Sequence, residues 1–404
     1  MRSQWQIGSI LGIPLYIDPS WLFIVFFLTL ANSAQLEAAK VGQLPTILNW
    51  VIAMLMSLLL FASVLLHELG HSLVALAQKI KVNSITLFLF GGIAAIERES
   101  KSPIGAFLVA IAGPVVSFCL FGLCFVLKDQ LPLSSLWDYV LTDLGEINLV
   151  LGIFNLIPGL PLDGGQMLKA IVWQVSGDRF KGVHWASQSG KLIGSFGIAL
   201  GLLIVLLSQQ FSGVWLALIG WFILRNANNY DHITSLQESL LKLVAADAMT
   251  RDFRVIDGNL SLREFAEEYV LKPEPESRCL FAAANGRYCG LIRLNDLQNI
   301  ERGQWEQIYL HDIARPLTQI PSATEKTPLA TIIPQLEALT ENRITILSPA
   351  GAVAGVIDRG DIVQAIATAH KLPISSTEIQ RIKSASHYPD YLPLPEIIKG
   401  LESG

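Results

Sequence analysis

Charge is scarce in this 404-residue chain: 16% of its residues are charged and 51% are hydrophobic. The scarcity is uneven. Residues 1–228 hold 23 charged side chains, and the shorter stretch 229–404 holds 40. The first part therefore reads as a membrane domain and the second as a soluble one, so one small domain is excluded. An excess of cations is also missing. The net charge of −5 comes from the second part and argues against nucleic acid as a partner. Cysteine is sparse. Cys119, Cys124, Cys279 and Cys289 form no C-x-x-C pair. That spacing excludes a cysteine metal site and suits reduced structural thiols, with the second part in the cytosol. The opening stretch "MRSQWQIGSILGIPLYIDPS" lacks an apolar core with a small-residue cleavage site, and it lacks an Arg/Ser-rich transit composition. The first span is expected to act as its own signal.

What the chain does have is long apolar runs. A hydrocarbon core of about 30 Å needs roughly 20 apolar residues as a helix. Six stretches qualify: Trp21–Ala34 (extended backwards by "IPLYI"), Trp50–Ala77, Ile104–Leu127, Trp137–Leu162, Leu192–Leu207 and Phe211–Leu224. Six spans put both ends on one side. Arg2, Lys79, Lys81, Arg98, Lys101, Lys169, Arg179, Lys181, Lys191 and Arg225 then fall on the side of the N-terminus, against Lys40 and Lys128 on the other. The excess of lysine and arginine marks the side of the termini as cytosolic. A single bent span over 192–224 is the alternative and would place the second part outside.

Inside the second stretch stands "LLHELGH". Ionisable groups at membrane depth are costly and usually functional. On a helix, His67 and His71 share one face, so both rings can reach one metal ion. Glu68 stands beside the first of them and can serve as general base towards a water activated by zinc. His67 falls about 25 Å along the helix from Trp50, near the cytosolic face. A third ligand is needed. Asp163, in "NLIPGLPLDGGQ", is the one carboxylate between Glu146 and Asp178, and its span returns it to the same side. Pro158, Pro161, Gly164 and Gly165 break the helix there, and non-helical backbone at membrane depth lines a wet cavity or is buried in protein. The segment "VNSITLFLFGGIAAIE", residues 82–97, reads as a hairpin whose edge could hold an unwound substrate by strand addition. His184, in "FKGVHWASQSGK", reads as a structural histidine in a cytosolic loop.

H-E-L-G-H followed by N-x-x-P-x-x-P-L-D-G-G resembles the site-2 protease family of intramembrane zinc metalloproteases. "GIPLYIDPSW", "FGGIA" and "AGPVVS" match as well, and the likeness covers about residues 5–225. The resemblance implies that His67, His71 and Asp163 bind one zinc ion per chain, that Glu68 is the catalytic base, and that Asn155 helps hold the substrate or the oxyanion. Ser117 departs from the pattern, since many members carry asparagine there.

The second part repeats the order β-α-β-β-α twice in units of about 60 residues. It resembles a tandem pair of cystathionine-β-synthase-type (CBS) domains, with "GLIRLND" ending at Asp296 and "GVIDRGD" ending at Asp361. In that family the aspartate, and a Thr or Ser three residues before it, often bind an adenine nucleotide. Arg293 and Asp358 stand at the Thr/Ser positions here. The pair is otherwise expected to be structural or to form a homodimer.

The fold expected is a polytopic α-helical membrane protein with about six transmembrane helices and a small membrane-associated β element, plus an α/β tandem CBS domain. The boundaries are 1–228 for the protease domain, 229–243 for a linker, 244–305 and 306–370 for the CBS domains, and 371–404 for an extended or partly helical tail. The function expected is hydrolysis of a peptide bond within or near the transmembrane segment of a single-span substrate in the cell (inner) membrane, with membrane lipid around the enzyme and its termini in the cytosol. A CBS-regulated zinc-binding transporter and a non-catalytic scaffold are the alternatives.

Overall fold

The computed structural model describes residues 4–39, 45–89, 91–130, 134–208, 212–270, 279–339, 342–389 and 391–402. It divides into two compact units, Met1–Thr234 and Ser235–Glu402. Arg2 and Lys40, used above for orientation, and Phe211, the start of the sixth apolar stretch, lie outside the described residues.

The first unit opens with β1 (Trp5–Ile10) and β2 (Ile13–Ile17), followed by the helices α1 (Ser20–Ala38) and α2 (Thr46–Ala77). A hairpin of β3 (Val82–Phe88) and β4 (Gly91–Ile96) comes next, then α3 (Pro103–Gln130), α4 (Ser135–Asn155), α5 (Asp163–Ser176), α6 (Arg179–Ser208) and α7 (Ser212–Lys242). The strands make one sheet in the order β1-β2-β3-β4, with β2 and β3 parallel and the other pairs antiparallel. "IPLYI" is therefore strand β2 and not the start of the first span. Its alternation buries Ile13 and Leu15 with Ala75 of α2 and with Ile80, Val82 and Ile85, and that pairing outweighs its apolar character. The 82–97 segment forms the hairpin expected of it.

Among the described residues, α1, α2, α3 and α6 are long and apolar enough to cross a membrane. Their outward faces are apolar: Phe23, Phe26, Phe27, Phe125, Leu206 and Leu207 are all exposed. Polar groups point inward instead and join helices. Asn49 Nδ2 donates to Ser33 Oγ at 2.8 Å, and Asn148 Nδ2 donates to Ser63 Oγ at 3.0 Å. This is the pattern of a bundle whose solvent is lipid, where interhelical hydrogen bonds and close packing replace the hydrophobic drive.

One sequence expectation changes. The stretch around His184 is no loop: α6 begins at Arg179, and His184 Nδ1 and Lys191 Nζ both bond Asp231 of α7. The segment 229–243 is helical, α7 continuing through it to Lys242, and the boundary between the two units falls inside it.

The second unit carries β5 (Phe253–Asp257), β6 (Cys279–Ala284), β7 (Arg287–Ile292), β8 (Ser322–Thr324), β9 (Arg343–Leu347) and β10 (Val353–Asp358). Its helices are α8 (Ala245–Ala248), α9 (Leu262–Phe265), α10 (Leu294–Leu297), α11 (Leu310–Ile313), α12 (Leu329–Ala338), α13 (Arg359–Ala369), α14 (Ser376–Ala385) and α15 (Leu394–Glu402). Two three-stranded sheets, β5-β6-β7 and β8-β9-β10, share one plan: a parallel pair followed by an antiparallel pair. The repeat read from the sequence is thus present in the backbone. The tail is partly helical, and α14 and α15 send Ile379, Ile382, Leu394, Ile397 and Ile398 into the main core of this unit.

Candidate metal centre

Helix α2 carries His67, Glu68 and His71 towards its C-terminal end, where the sheet packs on it. The helical offset of four residues puts both imidazoles on one face. Opposite them runs α3. A Cβ on Gly113 would lie 2.2 Å from His71 Nε2 and 2.6 Å from His67 Nε2, so only glycine lets the rings come this close to the helix. One turn further along the same face, Ser117 Oγ lies 2.9 Å from His67 Nδ1. His71 Nδ1 lies 2.6 Å from the carbonyl oxygen of Val109. A carbonyl only accepts, so Nδ1 of His71 holds a proton, and Nε2 is the nitrogen turned towards Asp163. Such partners fix the tautomer and the ring orientation of a ligand histidine.

The third member arrives from the break between α4 and α5. Asp163 is the first residue of α5, a position that favours an acid. Gly164 and Gly165 follow because the preceding turn doubles back on them. A Cβ on Gly164 would meet the Leu156 carbonyl oxygen at 2.2 Å, and one on Gly165 would meet the Gly159 carbonyl carbon at 2.3 Å. Asp163 Oδ2 is 3.1 Å from His67 Nε2 and 3.3 Å from His71 Nε2. The three ligand atoms lie within 4.8 Å of one another. Ligand atoms around a tetrahedral zinc at about 2.1 Å are about 3.4 Å apart. Two imidazole nitrogens and a carboxylate at these spacings, both histidines buried, fit zinc with one position left open.

Glu68 is half-buried on the strand side of the cluster. It faces strand β4. Gly92 of the same strand passes so near that a Cβ there would lie 2.5 Å from Glu68 Cγ. Strand β4 is the outer strand of its sheet among the described residues. Asn155 ends α4, half-buried at the start of the turn that delivers Asp163, and is not one of the three clustered residues. Beyond β4, the Glu99 carboxylate takes Lys169 of α5 on one oxygen and Arg179 of α6, at 2.7 Å, on the other. Sequence reading missed Glu99, Gly113 and Ser117 as supports of this site. The spacing of Gly113 and Ser117, one turn apart in "AGPVVS", was the available signal.

Asp296 and Asp361 of the second unit are not among the three clustered residues, and both are ion-paired: Asp296 with Arg315, and Asp361 with Lys383.

A buried histidine pair, a neighbouring glutamate and a carboxylate from a second helix, set in a bundle of apolar helices, define a metal-dependent hydrolase of the membrane. Peptidase family M50 matches residues 55–133 and 127–193. The protein sll0528 of Synechocystis sp. is 39% identical over 368 residues, 91% of this chain and 97% of its own length. Rip3 of Mycobacterium tuberculosis is 32% identical over 369 residues, 91% of this chain and 93% of its own. The zinc metalloprotease MJ0392 of Methanocaldococcus jannaschii is 27% identical over 368 residues, 91% and 97% of the two chains. A solved site-2 protease from the same archaeon has 30% identity and a TM-score of 0.40, and covers 57% of this chain and 95% of that one. The chain belongs to peptidase family M50, the site-2 protease family of zinc metalloproteases. With its four apolar helices it is an integral membrane protein.

Proposed function

We propose that this chain is an intramembrane endopeptidase that cuts a peptide bond within or near the transmembrane segment of a single-span protein. The observation that carries the reading is the placement of Glu68 between the buried cluster of His67, His71 and Asp163 and the outer strand β4. Zinc, when bound, supplies Lewis-acid polarisation of water and of the scissile carbonyl. Everything else falls to the chain. His67, His71 and Asp163 would hold the ion through Nε2, Nε2 and Oδ2. Ser117 and the Val109 carbonyl keep the two rings in register. Glu68 takes the proton of the attacking water and returns it to the leaving amine nitrogen, and Gly92 of β4 packs against its side chain. Asn155 holds the substrate or the developing oxyanion. A helical substrate hides its carbonyl in its own hydrogen bonds, so it must unwind first. Strand addition on β4 would keep it extended beside Glu68.

The wider reading follows from the same residues. Six segments cross the cell (inner) membrane, α4 and the start of α7 joining the four most apolar helices, and both termini face the cytosol. The soluble portion from about residue 244 is a CBS pair with a regulatory or dimerising role. A transporter or scaffold would leave Glu68, set one residue from a ligand, without a task.

The test is reconstitution in liposomes with a single-span substrate and mass mapping of the products. Cleavage inside or at the edge of the apolar segment is expected, and it should stop with a zinc chelator. Cleavage confined to soluble flanks, or none that a chelator stops, would contradict the proposal.

A further inference from the structure

The second unit resembles a module that takes an adenine nucleotide on Asp296 and Asp361, yet in this chain both carboxylates are already committed. Arg315 grips Asp296 as a fork, with Nε 3.2 Å from Oδ2 and Nη2 3.1 Å from Oδ1. Bidentate pairs of this kind are among the strong hydrogen bonds. The backbone of Arg315 is itself bridged to Leu291 of β7 by two bonds of 2.9 Å, which fixes the guanidinium in place. Asp361, 2% exposed, accepts the backbone N–H of Asp358 on Oδ2 at 3.0 Å and Lys383 Nζ on Oδ1 at 2.5 Å. A carboxylate that binds a ribose has to accept its hydroxyls. Here the oxygens that would do so face a guanidinium and an ammonium.

The neighbouring positions point the same way. Asp358 spends its carboxylate on the N-terminus of α13, accepting Asp361 N–H at 2.9 Å, and it lies 3.5 Å from Lys383 Nζ. It therefore brings negative charge, not a hydroxyl, to this position. Arg293 likewise replaces a hydroxyl.

Lys383 comes from α14, whose Ile379 and Ile382 are anchored in the core. The stem of Lys383 lies across the first turn of α13, since a Cβ on Gly360 would fall 2.5 Å from Lys383 Cγ. A cleft of about 590 Å³ beside Asp361 has Ile379, Gln380 and Lys383 of α14 as one wall and Thr250, Gln364 and Thr368 among its other lining residues.

We infer that the second unit is self-liganded: Arg315 and Lys383 occupy the two carboxylates that would bind an adenine nucleotide, and α14 acts as a built-in occupant of the Asp361 site, so the unit works without nucleotide. Protonation agrees with the geometry. Burial alone would lower the Lys383 amine, but its hydrogen bond to Asp361 and the nearby charge of Asp358 hold it above its ordinary value.

Two measurements on the full chain in detergent test this. Calorimetric titration with AMP and with Mg-ATP at millimolar concentration should show no saturable heat. Saturable binding that Asp361→Asn or Asp296→Asn removes would overturn the inference. Amine labelling read by mass spectrometry should modify Lys383 severalfold more slowly than the exposed Lys326, since its amine is held by Asp361 and partly buried. Asp361→Asn should speed Lys383 alone. Equal rates at the two lysines in the unaltered chain would overturn the pairing.

Discussion

His67 Nδ1 lies 2.9 Å from Ser117 Oγ, and Ser117 is fully buried on the same face of α3 as Gly113, which lets both imidazoles approach. The site is therefore shaped by α3 as much as by the helix that carries its ligands. Ser117→Ala should leave the helices intact and weaken zinc binding by about 10- to 100-fold, the usual effect of losing a partner that orients a ligand histidine. Metal competition against a chelator of known affinity measures it. Unchanged affinity would remove Ser117 from the account.

Gly113→Ala tests the packing against the sign of helix propensity. Alanine in a helix interior is favoured over glycine by about 1 kcal/mol. The added Cβ, however, would sit 2.2 Å from His71 Nε2. Helix content by circular dichroism should be unchanged or slightly higher, and zinc content after purification should fall severalfold.

Asp163→Ala removes one of three ligand groups and leaves His67 and His71 without their shared partner. Zinc per chain should drop well below one. Full zinc occupancy in this variant would show that the third ligand lies elsewhere.

Glu99 holds two cations, one of them the buried Lys169. Removing one partner of a buried ion pair costs about 3–5 kcal/mol because the remaining charge is stranded. Glu99→Ala should lower the thermal unfolding temperature by several degrees, and Lys169→Met combined with it should recover part of the loss. Glu99→Ala alone, unfolding at the same temperature as the unaltered chain, would mean that this cluster is not a brace.

The cluster of His67, His71 and Asp163 was readable in the sequence because its signals are local or unique. His67 and His71 are one helical turn apart in an apolar run, and Asp163 is the one carboxylate in its stretch. Strand β2 was not readable. Five apolar residues before a span look like more of the span, and of the two partners that make them a strand, β1 and β3, the second is about 70 residues downstream. The continuation of α7 past residue 228 was legible in principle, since no Gly or Pro interrupts residues 221–242, but its polar composition suggested a linker. The pairings of Asp296 with Arg315 and Asp361 with Lys383 depend on tertiary packing and carry no local signal.

The most direct test of the central claim is Glu68→Gln in the purified chain, with zinc content and cleavage of a transmembrane substrate measured on the same preparation. The account predicts unchanged zinc per chain and loss of cleavage by several orders of magnitude, because His67, His71 and Asp163 remain while the proton carrier is gone. Cleavage at the rate of the unaltered chain, with zinc still bound, would contradict it.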